Sequence, residues 1–140
     1  MPSIFTRILA GELPAQFVWQ DERVVAFLSI NPLATGHTLV IPREEVDHWL
    51  DLPAELAAHC TRVAQTIGRA LHGVYRPVKV GLMIAGLEVP HVHLHVTPIR
   101  GIHDMDFANQ DDSATAEELD AAADRVRARL RTMGCEQVSD

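Results

Sequence analysis

The chain has 140 residues, 47% of them hydrophobic, and carries 12 Lys and Arg against 19 Asp and Glu. This length suffices for one compact domain over residues 1–140. The net charge of −7 disfavours nucleic acid and anionic membranes as partners, because both attract basic surfaces. No apolar stretch is long enough to cross a bilayer and no signal-peptide pattern opens the chain, so we expect a cytoplasmic protein.

Short apolar segments bounded by glycine and proline make up the first part of the chain. Residues 4–9 predict a helical turn, which Gly11 ends. Three strands are predicted next, at residues 17–20, 23–30 and 38–41, and the first two are joined by an acidic turn.

The second part contains the clearest helix. Residues 51–73 repeat apolar side chains at helical spacing, and Gly73 is suited to a helix end. Strands at residues 78–85 and 91–99 follow, and a Thr-Ala-Glu-Glu capping box opens a last helix over residues 115–131. Strands grouped around one long helix and a C-terminal helix predict an antiparallel sheet of the α+β class.

Three histidines occupy alternate positions within the last predicted strand. His91, His93 and His95 would share one face of that strand, because side chains alternate along extended backbone. Imidazoles titrate near neutrality and serve in acid–base, nucleophilic and ligand chemistry. The sequence therefore predicts an active-site strand or a metal-site strand.

Two segments resemble the histidine triad family. His91 to Val96, HVHLHV, is similar to the family's triad motif, and Gly36 to Pro42, GHTLVIP, is similar to its second signature. The likeness extends over residues 4 to about 100. It implies a HIT-like α+β fold, a homodimer, and a bacterial nucleotide-binding hydrolase or transferase. Its substrates would be nucleoside 5′-phosphoryl compounds such as phosphoramidates or dinucleoside polyphosphates, and no cofactor is expected.

The resemblance also implies roles for four histidines. His93 would be the nucleophile that forms a covalent nucleotidyl intermediate, later hydrolysed by water. His91 and His95 would orient it or bind phosphate oxygens, and His37 would be a further donor across the site. Residue chemistry agrees with these roles, because attack on phosphorus requires a neutral imidazole, donors around the phosphoryl oxygens and a proton for the leaving group.

The implied substrate pocket fits the family unevenly. An apolar slot for a purine would be formed by Ile4, Phe5, Ile8, Phe27 and Ile30. Where family members grip the ribose with an acidic residue or Asn, this chain has Ser29, and Asn31 is a potential substitute.

The loop before the triad departs in a second way. It would face the phosphate and consists of Gly86, Leu87, Glu88 and Val89, with Leu87 in place of a Gln that contacts the leaving group. Since each lost polar contact weakens recognition, we expect weak and poorly selective nucleotide binding.

A third departure concerns zinc. Many bacterial relatives begin with Cys-x-x-Cys and carry a histidine after the second signature, where this chain has Ser3, Thr6 and Glu45. We therefore expect no structural zinc of that kind. Three hypotheses stay open: a metal-independent nucleotide hydrolase or transferase that uses His93, a nucleotide-binding regulatory module with little turnover, and a hydrolase whose histidine row binds Zn²⁺.

Overall fold

A five-stranded antiparallel sheet forms the centre of the molecule. The computed structural model describes residues 1–139. The strands lie in the order β1-β2-β3-β5-β4. In chain order they are β1 (Phe17–Gln20), β2 (Val24–Leu28), β3 (Thr38–Pro42), β4 (Lys79–Met83) and β5 (Leu94–Ile99). Because the strands pair antiparallel and the helices lie outside the sheet, the predicted α+β class is confirmed.

Three α-helices and three short 3₁₀ turns complete the fold. The helices are α1 (Ile4–Leu9), α2 (Ala54–Tyr75) and α3 (Ala116–Thr132), and the 3₁₀ turns are Trp49–Asp51, Ile102–Met105 and Phe107–Asn109. The predicted capping box at the start of α3 is present, with reciprocal hydrogen bonds between Thr115 and Glu118. The sequence did not indicate the 3₁₀ turns, which lack an apolar period.

The two faces of the sheet carry separate apolar clusters. On one face, α2 and α3 cover alternate strand residues such as Ala26, Val40 and Leu94. On the other face, Phe27 and Ile41 pack with α1 in a smaller cluster. Strand residues alternate between these two clusters. A histidine that precedes or follows in sequence a β5 residue packed under α2 must therefore point toward the α1 side.

The structure corrects the predicted end of α2. α2 runs past Gly73 to Tyr75 and ends at Arg76, which adopts the left-handed conformation with φ 48°. Gly73 lies where the Arg129 guanidinium crosses α2, so a side chain at that position would collide with it. The glycine therefore allows close packing of α3 rather than ending the helix.

The two edges of the sheet differ. β1 is partly covered by the C-terminal segment, because the Gln20 N–H donates to the Gln137 carbonyl and the Ser139 N–H donates to the Val18 carbonyl. Over residues 1–139, no strand lies beyond β4. None of the helices described over this range combines the length and the hydrophobicity needed to span a membrane.

Candidate active site

The three alternating histidines lie on the α1 side of the sheet. β5 begins at Leu94 rather than at the predicted residue 91, since its ladder with β3 ends at the Val40–Leu94 pair although β3 itself continues to Pro42. The alternation nevertheless continues through extended residues 91–93. His91, His93 and His95 are 0%, 6% and 8% exposed, while the residues between them enter the core under α2.

Hydrogen bonds assign the tautomers of the first two histidines. His91 Nε2–H donates to the Pro42 carbonyl at 2.7 Å, so its Nδ1 accepts from the Ser3 hydroxyl at 2.8 Å. His93 Nδ1–H donates to the His91 carbonyl at 2.7 Å. This bond leaves the lone pair of neutral His93 on Nε2.

A second pair of histidines is joined in the same way. The Leu33 N–H donates to His37 Nδ1 at 3.0 Å, so His37 carries its proton on Nε2. That Nε2–H donates to His95 Nδ1 at 3.0 Å. Neutral His95 therefore carries its own proton on Nε2, beside the free lone pair of His93.

Burial keeps these imidazoles neutral. It lowers the pKa of His37 to about 4 and that of His95 to about 3, with a smaller contribution from neighbouring histidines. It also lowers the pKa of His93, against the opposing effect of its bond to the His91 carbonyl. At neutral pH the row thus combines an unprotonated nitrogen with N–H donors, two of the three functions required for attack on phosphorus.

A cavity of about 400 Å³ lies in front of the histidines. Three of the four predicted histidines line it, together with Glu88, Val89 and the predicted slot residues. These lining residues are His37, His93, His95, Ile4, Phe5, Ile8, Phe27, Ser29, Ile30, Asn31, Glu88 and Val89. The Phe5 ring lies 4.9 Å from the His93 ring and 5.8 Å from the Phe27 ring, so the apolar slot and the histidine row are continuous.

Comparison with known proteins identifies the family of this chain. The HIT domain family model matches residues 10–102. The chain belongs to the HIT domain family. An uncharacterised HIT-like protein of Borreliella burgdorferi is 39% identical over 102 residues, which are 68% of this chain and 73% of that protein.

Two further relatives add information on activity and fold. An adenosine 5′-monophosphoramidase of Saccharomyces cerevisiae is 33% identical over 98 residues, 69% of this chain and 62% of the enzyme. A zinc-bound histidine triad family protein from Mycobacterium smegmatis has a TM-score of 0.79 and 28% identity, and the match covers 94% of each chain. At the level of the family, these relationships support a nucleotide-binding hydrolase.

Three predicted site residues do not line the cavity of this HIT protein. His91 lies behind it with both ring nitrogens bonded, as described above. Gly86 and Leu87 lie outside the lining, and the Leu87 side chain is 93% exposed. The loop therefore directs Glu88 and Val89, but not Leu87, to the cavity.

Besides Leu28 of β2 and Leu39 of β3, sequence reasoning missed two groups of lining residues. Leu13, Pro14 and Ala15 follow α1 and extend the apolar slot. Phe107 and Gln110 come from the segment after β5, where the Phe107 ring lies 4.8 Å from the His95 ring. The one available signal was an aromatic residue in the mostly polar connection between β5 and α3.

Ser3, Thr6 and Glu45, the positions where the resemblance implied zinc ligands in relatives, form a hydrogen-bonded cluster. Glu45 Oε1 accepts the Ser3 N–H and the Thr6 hydroxyl, each at 2.6 Å, and Ser3 in turn donates to His91. These bonds hold the pKa of Glu45 below its usual range. Hydroxyls and one carboxylate do not fit a structural zinc site, which uses thiolates and imidazoles. Across residues 1–139, no group of three His, Cys, Asp or Glu side chains is arranged to hold a metal ion.

Proposed function

We propose that this HIT protein cleaves nucleoside 5′-phosphoryl compounds through a covalent intermediate on His93 Nε2. The supporting observation is the 2.7 Å bond from His93 Nδ1–H to the His91 carbonyl, which leaves the lone pair on the other ring nitrogen. His93 also lines the cavity, between the apolar slot and His95. A neutral imidazole held in one tautomer is a preorganised nucleophile.

The reaction would proceed in two displacements. Nε2 of His93 attacks phosphorus, an N–P bond forms, and the bond to the leaving group breaks with its electron pair on that group. Water then attacks the same phosphorus, which releases the nucleoside monophosphate and restores His93. A nucleotide acceptor in place of water would make the reaction a transfer.

His95 and His37 would serve the phosphoryl group. His95 Nε2–H is a hydrogen-bond donor to a phosphoryl oxygen, and the 3.0 Å bond from His37 Nε2–H holds its ring. An anionic phosphate a few ångströms away favours the protonated form of a histidine. A proton taken up with the substrate would then reach the leaving group through His95, since a departing amine requires one.

The substrate class is inferred from the cavity and from one relative. Apolar and aromatic walls at Phe5, Ile8 and Phe27 suit a flat base. The relative from yeast is an adenosine 5′-monophosphoramidase. We therefore place phosphoramidates of adenosine monophosphate first among the candidate substrates.

The deciding experiment is detection of the intermediate. The protein is mixed with an adenosine 5′-phosphoramidate, quenched within the first turnovers and analysed by intact mass and peptide mapping. We expect a nucleotidyl adduct on His93, and His93→Ala should lose about a thousandfold or more of the turnover while it stays folded. A variant that keeps more than a few percent of the activity would overturn the proposal.

The effect of metal removal on turnover distinguishes the proposed metal-independent mechanism from the zinc hypothesis. His91 has both ring nitrogens engaged, so it is not free to share an ion with His93 and His95. Turnover should therefore survive prolonged treatment with a chelator. Activity that is lost and then restored by added zinc would favour the metal mechanism instead.

A regulatory nucleotide-binding module is the second candidate. The exposed position of Leu87 favours it, because a leaving-group contact is then missing from the loop before the triad. Tight nucleotide binding with no measurable adduct or turnover would support this alternative.

We also propose that two copies associate through β4. This strand pairs only with β5 among residues 1–139, and the neighbouring apolar side chains of Val78 and Leu82 are 63% and 52% exposed. An unpaired, partly apolar edge is a template for association. Light scattering should report a dimer, and Leu82→Arg should yield the monomer.

A further inference from the structure

The segment between β5 and α3 is a built wall of the cavity. We name residues 101–111 the strap, and all but its first two residues lie beyond the match to the family model. Inside the strap, Asp104 Oδ2 accepts the Gly101 N–H, and Asn109 Nδ2 donates to the His103 carbonyl. Asn109 and Asp104 thus fix the path of the two 3₁₀ turns.

The strap is attached at two points, to β4 and to the loop between β2 and β3. Met105 packs over Gly81 of β4, where any side chain would collide with its sulfur. At the other end the Asp111 N–H donates to the Pro32 carbonyl at 2.8 Å. Between these anchors Phe107 packs on His95, so the strap is held against the catalytic face.

We name Ser29 and Asn31 the polar side of the cavity, and the path of the strap brings Gln110, which is exposed, into the same cavity lining. Gln110 lines the cavity with Ser29 and Asn31, and over residues 1–139 its side-chain amide makes no hydrogen bond. Ser29 is partly occupied, because its hydroxyl accepts the Asn31 N–H at 3.3 Å. The Gln110 amide therefore has its donors and its acceptor available to a ligand.

The polar side lies between the base slot and the histidine row. β2 runs from Phe27, which packs on Phe5 in the slot, toward Ser29, whose N–H donates to the His37 carbonyl at 3.0 Å. In a nucleotide bound with its base in the slot and its phosphate at His93, the sugar spans this interval. An amide matches sugar hydroxyls, which are both donors and acceptors.

We propose that Gln110 is a specificity-determining residue that binds the ribose hydroxyls of the nucleotide. The strap thereby supplies a polar contact that Ser29 is too short to give with both hydroxyls at once. This inference depends on the proposed nucleotide substrate, and it assigns sugar recognition to a segment outside the matched family domain.

The test measures discrimination between two sugars. Adenosine monophosphate and 2′-deoxyadenosine monophosphate are titrated into the full-length protein by calorimetry, and their phosphoramidates are assayed for kcat and KM. Gln110→Ala should reduce the preference for the ribonucleotide about three- to tenfold, the value of one hydrogen bond, through KM rather than kcat. Ile102→Ala is the matched control, because this strap side chain is 80% exposed and lies outside the cavity lining.

The outcomes separate this inference from the proposed function. If the wild type binds and cleaves nucleotides but Gln110→Ala keeps the same sugar preference, the assignment of Gln110 is overturned and the function stands. If the wild type neither binds the nucleotides nor cleaves their phosphoramidates, both are overturned. A loss of preference in Ile102→Ala as large as that in Gln110→Ala would also overturn the assignment, since it would reflect a moved strap.

Discussion

The cavity has two walls that are attached in different ways. The α1 wall is tied to the segment before β5, because Ser3 bonds to His91 and the buried Phe5 ring packs against His93. The strap wall contacts the histidines through the half-buried ring of Phe107. The hydrogen bonds of the strap are mostly formed within the strap itself. One wall is thus part of the core, whereas the other lies on the surface.

This difference divides the functions of the two walls. A change in the α1 wall disturbs buried hydrogen bonds and His93 together, so folding and turnover should fall in parallel. A change in the strap exposes or removes a surface side chain, so substrate preference and His95 should respond while folding does not. The predictions below test this division, beginning with the largest expected effect.

His91→Ala should cause the largest loss of stability. Its ring is fully buried, and its removal leaves a cavity and deprives the Ser3 hydroxyl and the Pro42 carbonyl of their partner. We expect a decrease of about 2–4 kcal/mol in the free energy of unfolding, measured by urea denaturation. His103→Ala, which removes an exposed histidine of the strap, should stay within about 0.5 kcal/mol of wild type. Equal stability of both variants would contradict the difference between the walls.

Acid should destabilise the protein through His37 and His95. Their folded pKa values, about 4 and about 3, lie below the ordinary 6.5, so below pH 6.5 the unfolded chain binds protons that the folded chain does not. The contribution of the two histidines to the free energy of unfolding is therefore fully present above pH 6.5. It decreases as the pH falls toward 4, by up to about 1.4 kcal/mol per pH unit for each histidine. His37→Gln should flatten this dependence, and exposed His72→Gln should not. A free energy of unfolding that is constant between pH 7 and pH 5 would contradict the conclusion that His37 and His95 stay neutral in the folded protein.

Much of the fold followed from the sequence, because its signals are local. Apolar spacing predicted α2 and the strands, and alternation predicted the common face of His93 and His95. The extent of β5 was not predictable in this way, since it depends on where pairing with β3 stops, at the Val40–Leu94 pair. Gly73 was misinterpreted because the arginine that crosses it comes from α3, 56 positions later.

The site was predictable where the family motifs lie and not beyond them. The motifs indicated the histidines and the slot, and the structure brings most of these residues to one cavity. The strap carries no period and no motif, so only the three-dimensional path shows that Phe107 and Gln110 reach the cavity. The partners of Glu45 were likewise hidden, because they lie about 40 residues earlier in the chain.

Phe107→Ala should act on His95 and have a smaller effect on stability than His91→Ala. The ring covers His95 at 4.8 Å, and its removal admits water to a histidine whose low pKa arises mainly from burial. We expect the pKa of His95 to rise from about 3 toward its ordinary value, and kcat to fall about tenfold because the donor is less well fixed. An NMR titration of the His95 ring proton and steady-state kinetics measure the two effects. Phe107→Leu, which keeps apolar cover, should lie close to wild type, and an unchanged pKa in Phe107→Ala would show that the strap does not desolvate the site.

The smallest effect is expected at Leu87, where the resemblance to the family implied a Gln that contacts the leaving group. The side chain is 93% exposed and lies outside the cavity lining, so an amide at this position starts in water and gains little from turning inward. Leu87→Gln should therefore change kcat/KM for an adenosine 5′-phosphoramidate by less than about twofold, below the effect of a single formed hydrogen bond. Gln110→Ala, measured beside it, should change KM by more, because that amide already lies at the cavity. If Leu87→Gln instead raises kcat tenfold, the loop before the triad bends inward when substrate binds, and the polar contacts to the substrate are shared between that loop and the strap.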